Sequence, residues 1–325
     1  MDTTESMSPF RKYNKWDKST QSYKRCEKKD GRSKTANNAS VIQRVWRGRQ
    51  GRKDAEWKRK LSSDGVILAD CIEGMSHIDS ESTDIVLIDP PYNIGKDFGN
   101  DSDKQKMGDY LEFCDKWMTE GFRILKPTGT LYIYGFSEIL AFIRVRIDLS
   151  YHVRWLVWHY TNKNSPTAKF WNRSHESILC CSKMKTPHFN LDDVRVPYTD
   201  GFVNGAAGKV RNSTKGRFSK GDKTTTYTAH PQGAMPRDVI KVPTLAGGGK
   251  ERVKGHPTQK PLAICDTLLK AAINKNGDTR VVVPFAGSGS ECVSAKRLKL
   301  HYVGFELNED YVEICNMRLA EVQLT

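Results

Sequence analysis

The chain has 325 residues, enough for one large α/β domain with an insertion or a small extra module. Its formal charge is +14, and residues 1–60 alone hold 18 Lys/Arg against 7 Asp/Glu, so a basic arm precedes a nearly neutral body and a polyanionic partner is expected. No apolar run approaches the roughly 18–20 residues of a membrane span, so no membrane-spanning helix is expected.

Met1-Asp2-Thr3-Thr4-Glu5 does not read as a signal peptide, so a soluble, intracellular protein is expected, cytoplasmic or associated with a nucleoid or nucleus. Residues 1–40 are polar, basic and poor in aliphatics, and are expected to be largely disordered. Residues 42–52, from Ile42-Gln43 through Arg47-Gly48 to Arg52, match the pattern of a calmodulin-binding IQ motif on a basic amphipathic helix. A calmodulin-like partner competes there with phosphate binding and with plain packing.

Gly65 to Cys71 reads as a short strand ending in an acid, Asp70, which by its position alone would cap the next helix. Thr83 to Ile88 reads as a buried parallel strand. Asp89-Pro90-Pro91-Tyr92 stops it, because prolines supply no N–H to a ladder. The chain must leave the sheet at its carboxyl edge, where open α/β folds place their ligands.

Residues 94–109 form a polar loop that could close over a bound base, and Tyr110 to Phe122 has helical spacing, with Leu111, Phe113, Cys114, Trp117 and Met118 as core contacts. Pro127-Thr128-Gly129 reads as a turn before the strand Thr130–Tyr134, and Tyr151 to Tyr160 as another strand. His159 to Leu179 mixes Asn, Lys, Ser and aromatic residues, which suits phosphate grip and base stacking, while His175-Glu176 reads as support for the fold. The eight cysteines, Cys180 and Cys181 adjacent among them, lack C-x-x-C or zinc spacing and are expected as reduced thiols with no metal.

Between Gly201 and Gly255 periodicity disappears and 11 Lys/Arg face 3 Asp/Glu, which marks a nucleic-acid-contacting insertion over about 195–255. His256-Pro257-Thr258-Gln259-Lys260-Pro261 closes it, and Leu262 to Ile273 follows as a helix. Arg280 to Pro284 reads as a strand, Pro284-Phe285-Ala286-Gly287-Ser288-Gly289-Ser290 as a glycine loop, and Ser290 to Leu298 as a helix. Tyr302 to Glu306 is a strand ending in an acid, and Asp310 to Val322 the last helix.

The D-P-P-Y tetrapeptide together with the F-x-G-x-G loop, in that order, resembles the β group of S-adenosylmethionine-dependent DNA adenine-N6 methyltransferases, the group of the HinfI and cell-cycle-regulated enzymes. The resemblance covers roughly residues 64–320. It implies a Rossmann-like α/β methyltransferase fold with a mostly parallel seven-stranded sheet, a circularly permuted motif order and a basic N-terminal extension: an arm over 1–60 and a methyltransferase domain over 61–325. It assigns catalysis to Asp89, Pro90, Pro91 and Tyr92. It assigns S-adenosylmethionine binding to Asp70, Cys71, Lys260, Pro284, Phe285, Ala286, Gly287, Ser288, Gly289, Glu306 and Asn308. Double-stranded DNA with a flipped base is the implied substrate, a restriction–modification setting and a homodimer being compatible with the family. One departure stands out: the family usually has Asp before Pro-Phe, commonly on the cofactor's amino-acid part, and this chain has Val283.

An exocyclic adenine amine is a poor nucleophile, since its lone pair is delocalised into the ring. Asp89 and the Pro90 carbonyl can accept its two N–H bonds and orient the nitrogen. Tyr92 would stack on the base, and Glu306 would take the ribose hydroxyls. RNA adenine-N6 and DNA cytosine-N4 methylation are alternatives, as is a catalytically silent nucleic-acid-binding protein, which Val283 favours.

Overall fold

The computed structural model describes Arg47 and residues 51–95, 104–162, 168–217 and 219–322. Most of the expected arm and of the IQ-like stretch lies outside these residues, as do residues 96–103 of the loop after Tyr92. Residues 52–61 form a helix (α1), which the sequence reading placed in the arm. Its Trp57 is buried, stacked on His77 at 4.8 Å and edge-on to Phe305 at 6.4 Å, so this turn of chain packs with the body.

The elements then run β1 (Gly65–Leu68), α2 (Cys71–Ser76), β2 (Thr83–Ile88), α3 (Met107–Ile124), β3 (Leu125–Gly135), α4 (Ser137–Arg144), β4 (His152–His159) and β5 (His175–Ser182). Residues 195–255 carry α5 (Asp200–Gly205), the short strands β6 (Val210–Asn212), β7 (Lys215–Gly216), β8 (Ser219–Lys220) and β9 (Thr224–Thr226), and β10 (Val239–Lys241). The chain ends with α6 (Leu262–Ala272), β11 (Arg280–Val283), α7 (Ser290–Arg297), β12 (His301–Glu306) and α8 (Glu309–Ala320).

One sheet has the order β1-β12-β11-β2-β3-β5-β4-β10, with β5 alone running antiparallel to its neighbours. It has eight strands where seven were expected, because Val239–Lys241 adds to β4 at the edge. The other short strands pair only with each other, β6 with β9 and β7 with β8. The turn expected at Pro127–Gly129 is instead part of β3. There the register slips, with Thr83 opposite Leu125 but Ile85 opposite Thr130, so the irregular ladder absorbs the proline.

Residues alternate across the sheet with period two. Val86 and Ile88 of β2 face α2, α3 and α4 through Met75, Trp117 and Leu140, while Ile85 and Leu87 face α6 and α7 through Ile264, Leu268 and Val293. Both faces are therefore covered, which is why β2 is buried along its whole length. The consequence for function is geometric. β1, β12, β11 and β2 are neighbours and parallel, so Asp70, Glu306, the glycine loop and Asp89 all emerge at one carboxyl edge.

Candidate active site

At that edge lies a cavity of about 210 Å³. Asp89, Pro90, Pro91 and Tyr92 form one side, and Pro284, Phe285, Ala286, Gly287 and Ser288 another. Asp70, Cys71, Lys260 and Glu306 also line it. Gly289 and Asn308 are not among the lining residues and act at helix starts. Gly289 begins α7 at φ +76°, and Asn308 caps α8 by accepting from the backbone N–H groups of Asp310 and Tyr311.

The acceptor end is built around Asp89. Lys260 donates to both its carboxylate oxygens, at 2.8 and 2.7 Å, and the Tyr92 hydroxyl donates to Oδ1 at 2.7 Å. The resemblance assigns Lys260 to the cofactor; here its ammonium is spent on the D-P-P-Y acid. Lys260 is buried, 4% exposed, and lies 5.3 Å from the ring centres of both Tyr92 and Tyr134. Burial works against its charge, but Asp89 and then Glu176, 3.8 Å away, outweigh it and hold the ammonium firmly protonated. Burial first, then Asp89 and Glu176, push the Tyr92 hydroxyl well above its ordinary range, so it stays a donor. Glu176, expected only to support the fold, is thus part of this charge cluster; a lone H-E pair gave no signal of it.

Tyr92 meets Phe136 edge-on at 5.2 Å, and the Arg173 guanidinium lies 4.1 Å from the Phe136 ring centre. Tyr110 donates from its hydroxyl to the Pro91 carbonyl at 2.8 Å, fixing the rigid exit from α3. Just before Arg173 in the chain, Phe170 and Trp171 are 79% and 88% exposed, so two large apolar rings face solvent.

The other end is built around Glu306. Its Oε2 accepts from the Gly287 N–H at 2.8 Å, and its Oε1 accepts from Leu307 and Asn308, each at 2.9 Å. One carboxylate thus ties the end of β12 to the glycine loop. A carboxylate has about four acceptor positions, so one remains on Glu306. Gly287 sits at φ +50°, and a Cβ there would stand 2.8 Å from His256 Nε2. Burial lowers the His256 imidazole to about 4, so it is neutral at pH 7. Asp70 accepts from Ile72 and Glu73 at 2.9 and 3.0 Å, which makes it the cap of α2 as well as a cavity residue. Cys71 is a buried thiol pushed far up by desolvation.

Beyond the residues foreseen, the cavity recruits Ile94, Phe113, His256, Thr258, Glu291, Phe305 and Tyr311. Glu291 and His256 flank motifs that were recognised, but nothing in their spacing marks them as cavity residues.

A mostly parallel sheet covered on both faces, with acids at two strand ends and a glycine loop between them, defines the class: a Rossmann-like methyltransferase. The PvuII DNA methyltransferase (cytosine-N4-specific) has this fold, with a TM-score of 0.57 over 81% of this chain and 89% of that one, at 14% identity. A family model described as DNA methylase matches residues 83–317. Type II methyltransferase M.HpaI of Haemophilus parainfluenzae is 31% identical over 257 residues, covering 78% of this chain and 73% of that protein. DNA adenine methyltransferase YhdJ of Escherichia coli (strain K12) is 27% identical, covering 78% of this chain and 82% of that protein. The chain belongs to the DNA methylase family.

Proposed function

We propose that this protein transfers a methyl group from S-adenosylmethionine to the exocyclic N6 of adenine in duplex DNA. One observation carries the reading: the Asp89–Tyr92 exit and residues Pro284 to Ser288 of the glycine loop open into a single cavity. The residues present fit an adenosyl ligand. Glu306 keeps an acceptor position for ribose, Phe285 and Phe305 give apolar walls, and Asp70 stands at the end of β1. When bound, S-adenosylmethionine supplies the methyl group.

At the other end, Asp89 has three acceptor positions filled by Lys260 and Tyr92, which leaves about one for an N–H of the amine. The Pro90 carbonyl takes the second N–H. Together they draw the nitrogen towards sp³ and free its lone pair, and the carboxylate stabilises the positive charge that grows there. Lys260 and Tyr92 act as positioning residues, locking the carboxylate before the base arrives. The amine proton leaves after transfer, when the nitrogen is acidic, so Asp89 need not act as a base first.

A base inside a duplex cannot reach this cavity and must be flipped out. The Tyr92 ring, braced by Phe136, offers a stacking face, and Phe170 and Trp171 suit contacts with bases outside the cavity. Residues 195–255 are the proposed target-recognition insertion within a methyltransferase domain, and the basic N-terminal arm adds phosphate contacts. Among the described residues no helix is long and apolar enough to cross a membrane.

The test is transfer from methyl-labelled cofactor to duplex DNA and to RNA, with digestion to nucleosides. The expected product is N6-methyldeoxyadenosine. Label recovered in RNA alone, or on cytosine, contradicts the proposal.

A further inference from the structure

Glu291 is the second residue of α7, immediately behind the glycine loop. It is 3% exposed and lines the cavity. Its Oε1 is buried with no hydrogen-bond partner among the described residues. A buried acceptor left without a donor is a cost that the fold does not recover internally.

The local charges do not compensate it. Lys260 is the buried cation of the cluster, and both Asp89 oxygens already hold it, with Glu176 next nearest. Burial and then the Asp89 charge raise the Glu291 carboxyl to about 7, with Lys260 and Arg318 opposing the shift. Val283, where β11 enters the loop, is wholly buried and apolar, so the strand supplies no acid at this point. The cavity therefore contains an acid that awaits a cation bearing N–H donors.

Given the cofactor named under Proposed function, on which this step rests, two cationic centres are available: a sulfonium, which has no N–H, and an α-ammonium, which has three. Only the ammonium can satisfy an orphaned acceptor. We propose that Glu291 receives the α-ammonium group at the methionine end of the cofactor. The acid that anchors the amino-acid part thus comes from the first turn of the helix after the loop, and not from the end of the strand before it.

The experiment is calorimetric titration of the full-length protein with S-adenosylhomocysteine and with its analogue carrying hydrogen in place of the amino group. Wild type is expected to bind the amino-bearing ligand at least tenfold more tightly. Glu291→Gln should lose at least tenfold for that ligand and bind the deaminated analogue as wild type does. Thermal melting without ligand shows whether this variant folds; should it fail, Glu291→Asp, which keeps the charge but withdraws it by one methylene, should show the same selective loss. Equal weakening for both ligands, or no change for either, overturns the assignment and makes Glu291 structural. A wild type that binds both ligands equally also overturns it while leaving the cofactor reading intact. Binding of neither ligand to wild type overturns both.

Discussion

Lys260 Nζ sits between the two carboxylate oxygens of Asp89, at 2.8 and 2.7 Å, joining residues 171 positions apart in the chain. This pair ties the chain just before α6 to the D-P-P-Y exit and fixes the rotamer of the acid proposed to hold the target amine.

Lys260→Ala leaves Asp89 and Glu176, 17% and 15% exposed, facing each other without their shared cation. Breaking a buried pair by removing one partner costs on the order of 3–5 kcal/mol. Urea denaturation should show a loss near the lower end, because both acids keep some contact with water. A variant as stable as wild type would mean that the pair adds nothing to folding.

Tyr92 separates two contributions. Tyr92→Phe keeps the ring and loses the 2.7 Å bond to Asp89, so kcat should fall by a factor corresponding to about 1.5–3 kcal/mol, with DNA affinity little changed. Tyr92→Ala also removes the stacking face and should weaken DNA binding by a further ~1–3 kcal/mol. Equal DNA affinity for the two variants, measured by fluorescence anisotropy, contradicts a stacking role.

Gly289 adopts φ +76°, and a Cβ there would stand 2.8 Å from Cys315 Sγ. Gly289→Ala must strain the start of α7 and displace α8, at a cost of about 1–3 kcal/mol. Lower thermal stability together with weaker cofactor binding is expected. A melting temperature equal to that of wild type would show that the loop accepts a side chain.

His256 gives stability a pH dependence. Its folded value of about 4 lies below the ordinary 6.5, so between these values the unfolded chain binds the extra proton. Stability is full above pH 6.5, falls as the pH drops towards 4, and this group's loss then levels off at about 3 kcal/mol. His256→Gln should flatten that part of the curve. A variant whose stability falls as steeply as wild type between pH 6.5 and 4 removes His256 as the cause.

Much of this was legible in the sequence. Acid-led apolar runs and glycine signals located β2, β11, β12 and α6–α8 to within a residue or two, because buried parallel strands and capped helices leave strong local patterns. Helical spacing over Tyr110 to Phe122 found the body of α3, which runs Met107–Ile124. The missed features depend on tertiary pairing. β3 runs through Pro127 because its neighbour tolerates a slipped register. Val239–Lys241 becomes a strand only because β4 offers an edge. Lys260, Glu176 and Glu291 converge through three separate elements, and no spacing along one segment encodes that meeting.

The most direct measurement is methyl transfer to duplex DNA by wild type and Asp89→Ala, with products resolved as nucleosides and cofactor binding measured on the same preparations. The account predicts N6-methyldeoxyadenosine from wild type, a loss of transfer of roughly a hundred- to a thousandfold in Asp89→Ala, on the order of one strong electrostatic contact at a reacting centre, and nearly unchanged cofactor affinity. Undiminished transfer by the variant, or a methylated base other than adenine from wild type, would contradict it.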